Sequence, residues 1–304
     1  MIHVLGAGSL GLLWIARLQE AGLDCRLLLR DQGALQRWRA ANNQLQFVHH
    51  NGEQRHLQIN CEVAASASAP IAIVIVATKA HSVASALESI RHRLTANSQI
   101  LLLQNGLGSQ QQVTSAFSEQ HVLYASVTDG AWQPAPQQLI WAGKGLTLVG
   151  DAAARPAPAW LQQLDNTIDW QWHEQILAVL WRKLAINCAI NPFTLLFDCA
   201  NGQVPRHAGA WLGDCIEELQ LLLAAQGVDD SSSLNQQVHD IIHRTASNSS
   251  SMRQDLHAGR RTELDYILGY ACRAAERSGQ SAPALHKLLS AARERLREQG
   301  LPLD

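Results

Sequence analysis

Within its first eleven residues the chain passes from a largely apolar run, Ile2-His3-Val4-Leu5, through Gly6-Ala7-Gly8-Ser9-Leu10-Gly11 into an amphipathic stretch. A GxGxxG spacing alone is weak. Set between a short buried strand and a helix, each glycine acquires its own reason. Gly6 permits a tight turn, Gly8 lets backbone approach a pyrophosphate, and Gly11 lets the helix pack closely on the strand. The helix start then offers unpaired N–H groups and the positive end of its dipole to an anion. A bare strand–turn–helix junction meets the same spacing without a ligand. The context favours a dinucleotide site made by Gly6, Ala7, Gly8, Ser9, Leu10 and Gly11.

The rest of the first half agrees with that start. Residues 2–5, 25–29, 71–77, 99–103 and 122–127 are short apolar runs suited to strands buried on both faces. Helical patterns at 10–21, 34–41, 82–94 and 109–117 separate them. Such alternation predicts a parallel sheet with helices on both sides, a Rossmann-type domain. Residues 45–48 and 56–59, around Asn51-Gly52, read as a hairpin on that sheet. Residues 139–141 and 146–149, around Gly143-Lys144-Gly145, read as a second hairpin closing the domain. From about His173 the pattern turns helical, at 175–197, 209–225, 234–246, 262–277 and 283–298. The expected fold is α/β, with a dinucleotide-binding domain over 1–170 followed by an all-helical domain over 171–304.

Two domains suit 304 residues, because single cores stop growing near roughly 250–300. With 47% hydrophobic and 16% charged residues the composition is that of a well-buried globular chain. A formal net charge of −2 offers no basic excess for nucleic acid or an anionic membrane. The six cysteines form no CxxC pair and no metal-type spacing, and read as reduced thiols of a cytoplasmic protein. His49, His50 and His56 fall on a polar hairpin tip, where no metal is expected. The opening residues do not read as a leader, and no run approaches the roughly 20 uninterrupted apolar residues of a membrane span. A soluble monomer or homodimer acting on a small molecule is expected.

Ligands of open parallel sheets bind outside the carboxyl ends of the strands. The second strand ends in Arg30-Asp31. An acid there would accept bonds from a ribose 2′-hydroxyl, whereas an arginine accommodates a 2′-phosphate. Arg30 comes first, which favours NADPH, although it also fits a solvated surface charge. Two further strands run into Thr78-Lys79 and into Gln104-Asn105-Gly106-Leu107-Gly108. Lys79 can meet phosphate, ribose or an anionic substrate, and Asn105 offers amide donors and a carbonyl acceptor. Each also fits an ordinary loop.

The most informative spacing lies further on. Lys183, Asn187 and Asn191 recur every four residues in an otherwise apolar run, so on a helix they share an arc of about 80°. Buried polar groups of this kind need partners or a ligand. Pro192 predicts a kink or break beside Asn191. One reading is an amide ladder with Lys183 snorkelling to solvent. The other is a catalytic strip, a lysine acid beside two amides that position substrate. Ser249-Ser250-Ser251 and Thr262-Glu263 are natural helix caps that can also face this strip.

The segments GAGSLG, ATKA, QNGLG, WRKLAINCAINPFT, CANGQV, SSMRQD and RRTELDYILG together resemble the ketopantoate reductases nearly end to end. The resemblance implies NADPH-dependent reduction of 2-dehydropantoate to (R)-pantoate, a step toward pantothenate. It implies that Lys183 donates the proton and that Glu263 pairs with it near the cofactor. Asn105, Asn187, Asn191, Asn201 and Ser251 would bind substrate. Arg30 and Lys79 would hold the adenosine phosphate end, with Asn105 and Ala131 also at the cofactor. One segment departs from the family: Thr128-Asp129-Gly130-Ala131 has an acid where a histidine is usual. That acid keeps open a reductase of another 2-oxo or 3-oxo acid. A non-catalytic NADPH sensor is the reading from another class.

Overall fold

The computed structural model describes residues 1–165, 168–228 and 231–303. The chain divides into two compact units, Met1–Gln104 with Ser109–Ile176, and Asn105–Gly108 with Leu177–Asp304.

The first unit is a doubly covered sheet. Strand β1 (Ile2–Leu5) leads through the glycine loop into α1 (Ser9–Glu20), followed by β2 (Cys25–Leu29) and α2 (Gln32–Ala40). Then come β3 (Gln44–Val48), β4 (Gln54–Gln58), β5 (Cys61–Val63), β6 (Ile71–Val76), α3 (Val83–Ile90), β7 (Leu94–Leu102), α4 (Ser109–Ala116) and β8 (His121–Val127). Four short strands close the unit, β9 (Gly130–Trp132), β10 (Gln138–Gly143), β11 (Thr147–Gly150) and β12 (Trp170–Trp172). The main sheet runs β12-β11-β8-β7-β6-β1-β2-β5, parallel except where β11 meets β8. Its central strands are apolar on both faces because helices cover both, and Val4, Leu27, Ile75 and Leu101 are fully buried.

Both expected hairpins are placed differently. The β3–β4 hairpin forms, with Phe47 opposite Arg55, but it belongs to a separate sheet of order β4-β3-β10-β9. Strands β10 and β11 do not pair with each other. β10 joins β3 and β9 in the small sheet, while β11 joins β8 and β12 in the large one. Gly143-Lys144-Gly145 is therefore a crossing between two sheets. The alternation of each strand sets which face it buries but not which neighbour it chooses.

In the second unit, the long α5 (Ile176–Leu196) is followed by α6 (Val204–Ala208), α7 (Ala210–Ala225), α8 (Leu234–Arg244), α9 (Ser251–His257), α10 (Tyr270–Arg277) and α11 (Pro283–Glu298). α7 packs on α8, α10 and α11. α11 buries Leu285, Leu288, Leu289, Ala292 and Leu296, the spacing of one helical face. α5 is apolar nearly all round and over half of it is buried, as befits a core helix. Of the kink or break expected at Pro192, the break does not occur, since α5 continues to Leu196. Phe193 and Leu195, fully buried beyond the proline, supply packing that offsets the roughly 3 kcal/mol an interior proline costs. Helix 262–277 is also revised: it opens with a π-turn over Asp265–Gly269 before α10 begins.

Candidate active site

In the first unit the glycine loop has the geometry its sequence suggests. Gly6 adopts φ +113°, and a Cβ there would meet Thr78 Cγ2 at 2.9 Å. A Cβ on Gly11 would lie 1.9 Å from the Gly6 carbonyl oxygen, so helix and strand approach too closely for any side chain. Gly8 is different. A Cβ there meets nothing nearer than the Ala77 carbonyl at 4.0 Å, so the fold itself does not demand glycine. Gly8 caps α1 without a side-chain hydrogen bond, which leaves the first N–H groups of the helix for another acceptor. Thr78 Oγ1, packed under the loop, is buried with no partner among the described residues. An open approach at Gly8 and an uncapped helix start suit the diphosphate of a dinucleotide.

Around the loop, Lys79 is half-buried at the end of β6. Ala131 is half-buried on β9, and that strand packs on α1. Gln133 Nε2 donates to the Ala7 carbonyl at 3.3 Å, a brace on the loop that no sequence signal announced. At the end of β2, Arg30 is 90% exposed and its Nε donates to Asp31 Oδ2 at 2.9 Å. Asp31 Oδ1 accepts from the Ala34 N–H at 2.7 Å and caps α2. That cap and Arg30 hold the Asp31 carboxyl below its ordinary range. The acid that blurred the choice of cofactor is thus occupied by helix capping.

Asp129, the departure from the family pattern, is held within the first unit by several contacts. Its side chain is 1% exposed and lies 3.3 Å from Arg17 Nη1. The same Oδ1 accepts from Trp141 Nε1 at 3.0 Å and from the Gly145 N–H at 3.2 Å. It joins α1, β10 and the crossing between the two sheets. The Arg17 guanidinium lies 4.4 Å over the Trp141 ring, and burial lowers its pKa while Asp129 raises it. Asp129 Oδ1 is thus engaged within the first unit's own packing, while its Oδ2 is buried with no partner among the described residues.

The remaining site residues belong to the second unit. Lys183, Asn187 and Asn191 lie half-buried along α5. Neither asparagine makes a side-chain hydrogen bond among the described residues, so the amide ladder is not formed. Burial lowers the Lys183 pKa from 10.5 to about 8, and Glu263 opposes the shift by raising it. Glu263 is itself 4% exposed. Thr262 beside it accepts from the Leu264 N–H at 3.2 Å, so the capping job falls to Thr262 and leaves Glu263 to the lysine.

Ser250 and Ser251 divide their duties in the same way. Ser250 caps α9, accepting from the Arg253 N–H at 3.1 Å, and lies 2.6 Å from Thr194 Oγ1. Ser251, the first helical residue, is exposed. Asn201 is 8% exposed and its Nδ2 donates to Thr245 at 2.9 Å, while its Oδ1 has no partner among the described residues. The loop Asn105–Gly108 groups with this unit rather than the first. Its anchor is the Leu107 N–H, which donates to the Tyr266 carbonyl at 2.9 Å. Asn105, Lys183, Asn187, Asn191, Asn201, Ser251 and Glu263 thus share one unit, whereas the glycine loop, Arg30, Lys79 and Ala131 share the other.

Residues 2–154 match the family model "Ketopantoate reductase PanE/ApbA", and residues 175–296 match its C-terminal counterpart. A 2-dehydropantoate 2-reductase of Yersinia pestis is 33% identical over 289 residues, 93% of this chain and 90% of that protein. Among solved structures, a PanE/ApbA family ketopantoate reductase from Ralstonia eutropha JMP134 superposes with a TM-score of 0.87 at 23% identity, covering 98% of this chain and 99% of that one. D-mandelate dehydrogenase, in a ternary structure with NADH and anilino(oxo)acetate, gives a TM-score of 0.88 at 19% identity, covering 99% of both chains. At those identities the two structures speak for the fold.

Proposed function

The chain belongs to the ketopantoate reductase family, and from that premise we propose that it reduces 2-dehydropantoate to (R)-pantoate with NADPH, toward pantothenate. The observation that carries the reading is Lys183, a half-buried lysine whose pKa is brought to about 8 beside a buried glutamate. When bound, a reduced nicotinamide would supply hydride to the ketone carbon, and the ketone oxygen would gain negative charge. A proton donor works best with a pKa near the working pH, and its positive charge also stabilises that oxygen. Lys183 meets both needs. Glu263 keeps enough of the lysine charged for it to donate. Asn187 and Asn191, uncommitted on the same helix face, offer donors and acceptors that orient the substrate. The exposed Ser251 hydroxyl and the unpartnered Asn201 Oδ1 extend the polar set.

The NADPH preference is supported by Arg30 at the end of β2 and by the commitment of Asp31 to its helix, with Lys79 at the next strand end. Lys183, Glu263 and Asn105 come from one unit of one chain, so the reading suits a monomer or a homodimer, in the cytoplasm. The engagement of Asp129 Oδ1 with Arg17, Trp141 and Gly145 inside the first unit supports the family's acid over a different one.

The test is NADPH oxidation against a panel of 2-oxo acids. A site that hydrogen-bonds the substrate hydroxyl is left with unpaired polar groups when that hydroxyl is missing. Ketopantoate is therefore expected to exceed 2-oxoisovalerate by at least about tenfold in kcat/KM. Equal efficiency with the two acids would remove the assignment, and no turnover with any would favour a nucleotide-binding sensor.

A further inference from the structure

Glu263 lies two residues before a local irregularity. Asp265–Gly269 winds as a π-turn and only then does α10 begin. A π-turn makes poorer use of the backbone than an α-turn and persists where other contacts hold it. Here the holding contacts are explicit. Arg273 Nη1 donates to Asp265 Oδ1 at 2.7 Å, and Arg273 Nη2 donates to Asp265 Oδ2 and to the Asp265 carbonyl, each at 3.1 Å. Arg293 Nη2 adds a bond to Oδ1 at 3.2 Å from α11. Gly269 makes room for this arrangement, since a Cβ there would stand 2.5 Å from Asp265 Oδ1.

Inside the same turn, the Tyr266 carbonyl accepts the Leu107 N–H at 2.9 Å. The fit is close. Gly106 adopts φ +80°, and a Cβ there would lie 2.3 Å from that carbonyl oxygen. One wide turn therefore touches two groups at once, with Glu263 two residues upstream and the loop carrying Asn105 docked on its carbonyl. We infer that the π-turn is a positioning device, in which Asp265 and Gly269 set the register of Asn105 against Glu263 and Lys183. The inference rests on the functional reading above. Closing the π-turn to an α-turn removes one residue from the register. Relative to α10, everything before the turn would then rotate by about 100° and shift by about 1.5 Å. Glu263 would leave Lys183, and the Tyr266 carbonyl would turn from Leu107.

The experiment uses the full-length protein with Gly269→Ala, and Asp265→Asn as a gentler second variant. Three quantities are read: the NADPH Kd by tryptophan fluorescence, kcat and KM for ketopantoate, and amide hydrogen exchange at Leu107. The expected result is kcat lower by about 10²-fold at a wild-type folded fraction, a larger effect on kcat than on the NADPH Kd, and faster exchange at Leu107. A folded variant that keeps wild-type kcat, or wild-type protection of Leu107, overturns the inference. So does a loss in which all parameters fall together with the folded fraction. If the wild-type enzyme turns over no 2-oxo acid, the functional reading fails, while Leu107 exchange still decides whether the turn holds the loop.

Discussion

Glu263→Gln isolates the electrostatic partnership on which the proposed chemistry depends. Burial lowers the Lys183 pKa from 10.5 to about 8, a preference for the neutral amine worth about 3 kcal/mol at ~1.36 kcal/mol per unit. Glu263 is the group that resists that preference. Glutamine keeps the size and removes the charge. An opposite charge at close range moves a pKa by about 1–3 units, so the lysine in the variant should titrate that far below its value of about 8. The sign follows from the role. Only the ammonium donates a proton, so activity is full below the Lys183 pKa and falls as pH rises through it. For wild type, about nine-tenths of the lysine is charged at pH 7 and about a tenth at pH 9. The assay is kcat/KM for ketopantoate from about pH 6 to 10, which reports the free enzyme. Each profile is scaled to its own low-pH plateau, so that any general loss of rate drops out. The alkaline limb should lie near pH 8 in wild type and at least about one unit lower in the variant. A limb that stays in place, or a wild-type profile flat to pH 10, would refute the pairing.

Arg30→Ala should weaken NADPH binding while leaving NADH nearly unchanged, because a lost phosphate contact matters only to the phosphorylated cofactor; fluorescence titration with both nucleotides checks this, and parallel losses would count against it. Asp129→Ala removes one of the carboxylates that act on the buried Arg17 side chain, while Asp169 and Glu20 remain. It should cost on the order of 1–3 kcal/mol in denaturant unfolding without changing the preference for ketopantoate over 2-oxoisovalerate; a changed preference at unchanged stability would assign Asp129 to the substrate.

The parts of the site legible in the sequence are those whose cause is local. Gly6 and Gly11 are required by contacts within their own strand–turn–helix unit, so their spacing carried the reason with it. The helical repeat of Lys183, Asn187 and Asn191 likewise put three polar groups on one face before any packing was known. Asn201 and Ser251 had no such pattern and were reached through resemblance to a family. The structure explains why. Ser250 and Ser251 are adjacent and chemically identical, and only the fold commits the first to capping α9 and leaves the second exposed.

Where sequence reasoning stopped short, the deciding interaction was distant along the chain. Asp129 was conspicuous as an acid in place of a usual histidine, yet its direction depends on β10 and β11 lying in different sheets. That crossing brings Trp141 and Gly145 to its carboxylate, with Arg17 of α1 opposite. A hairpin at the same place would have required a different neighbourhood. The π-turn is the parallel case in the helical unit. Its one local trace is Gly269, a glycine inside an otherwise regular helical pattern, where it costs about 1 kcal/mol relative to alanine. The return on that cost is room for the Asp265 carboxylate, held by Arg273 one helix on and Arg293 on α11. An interior glycine with no turn signal around it is therefore better read as a place where another group must approach than as a weak point in the helix.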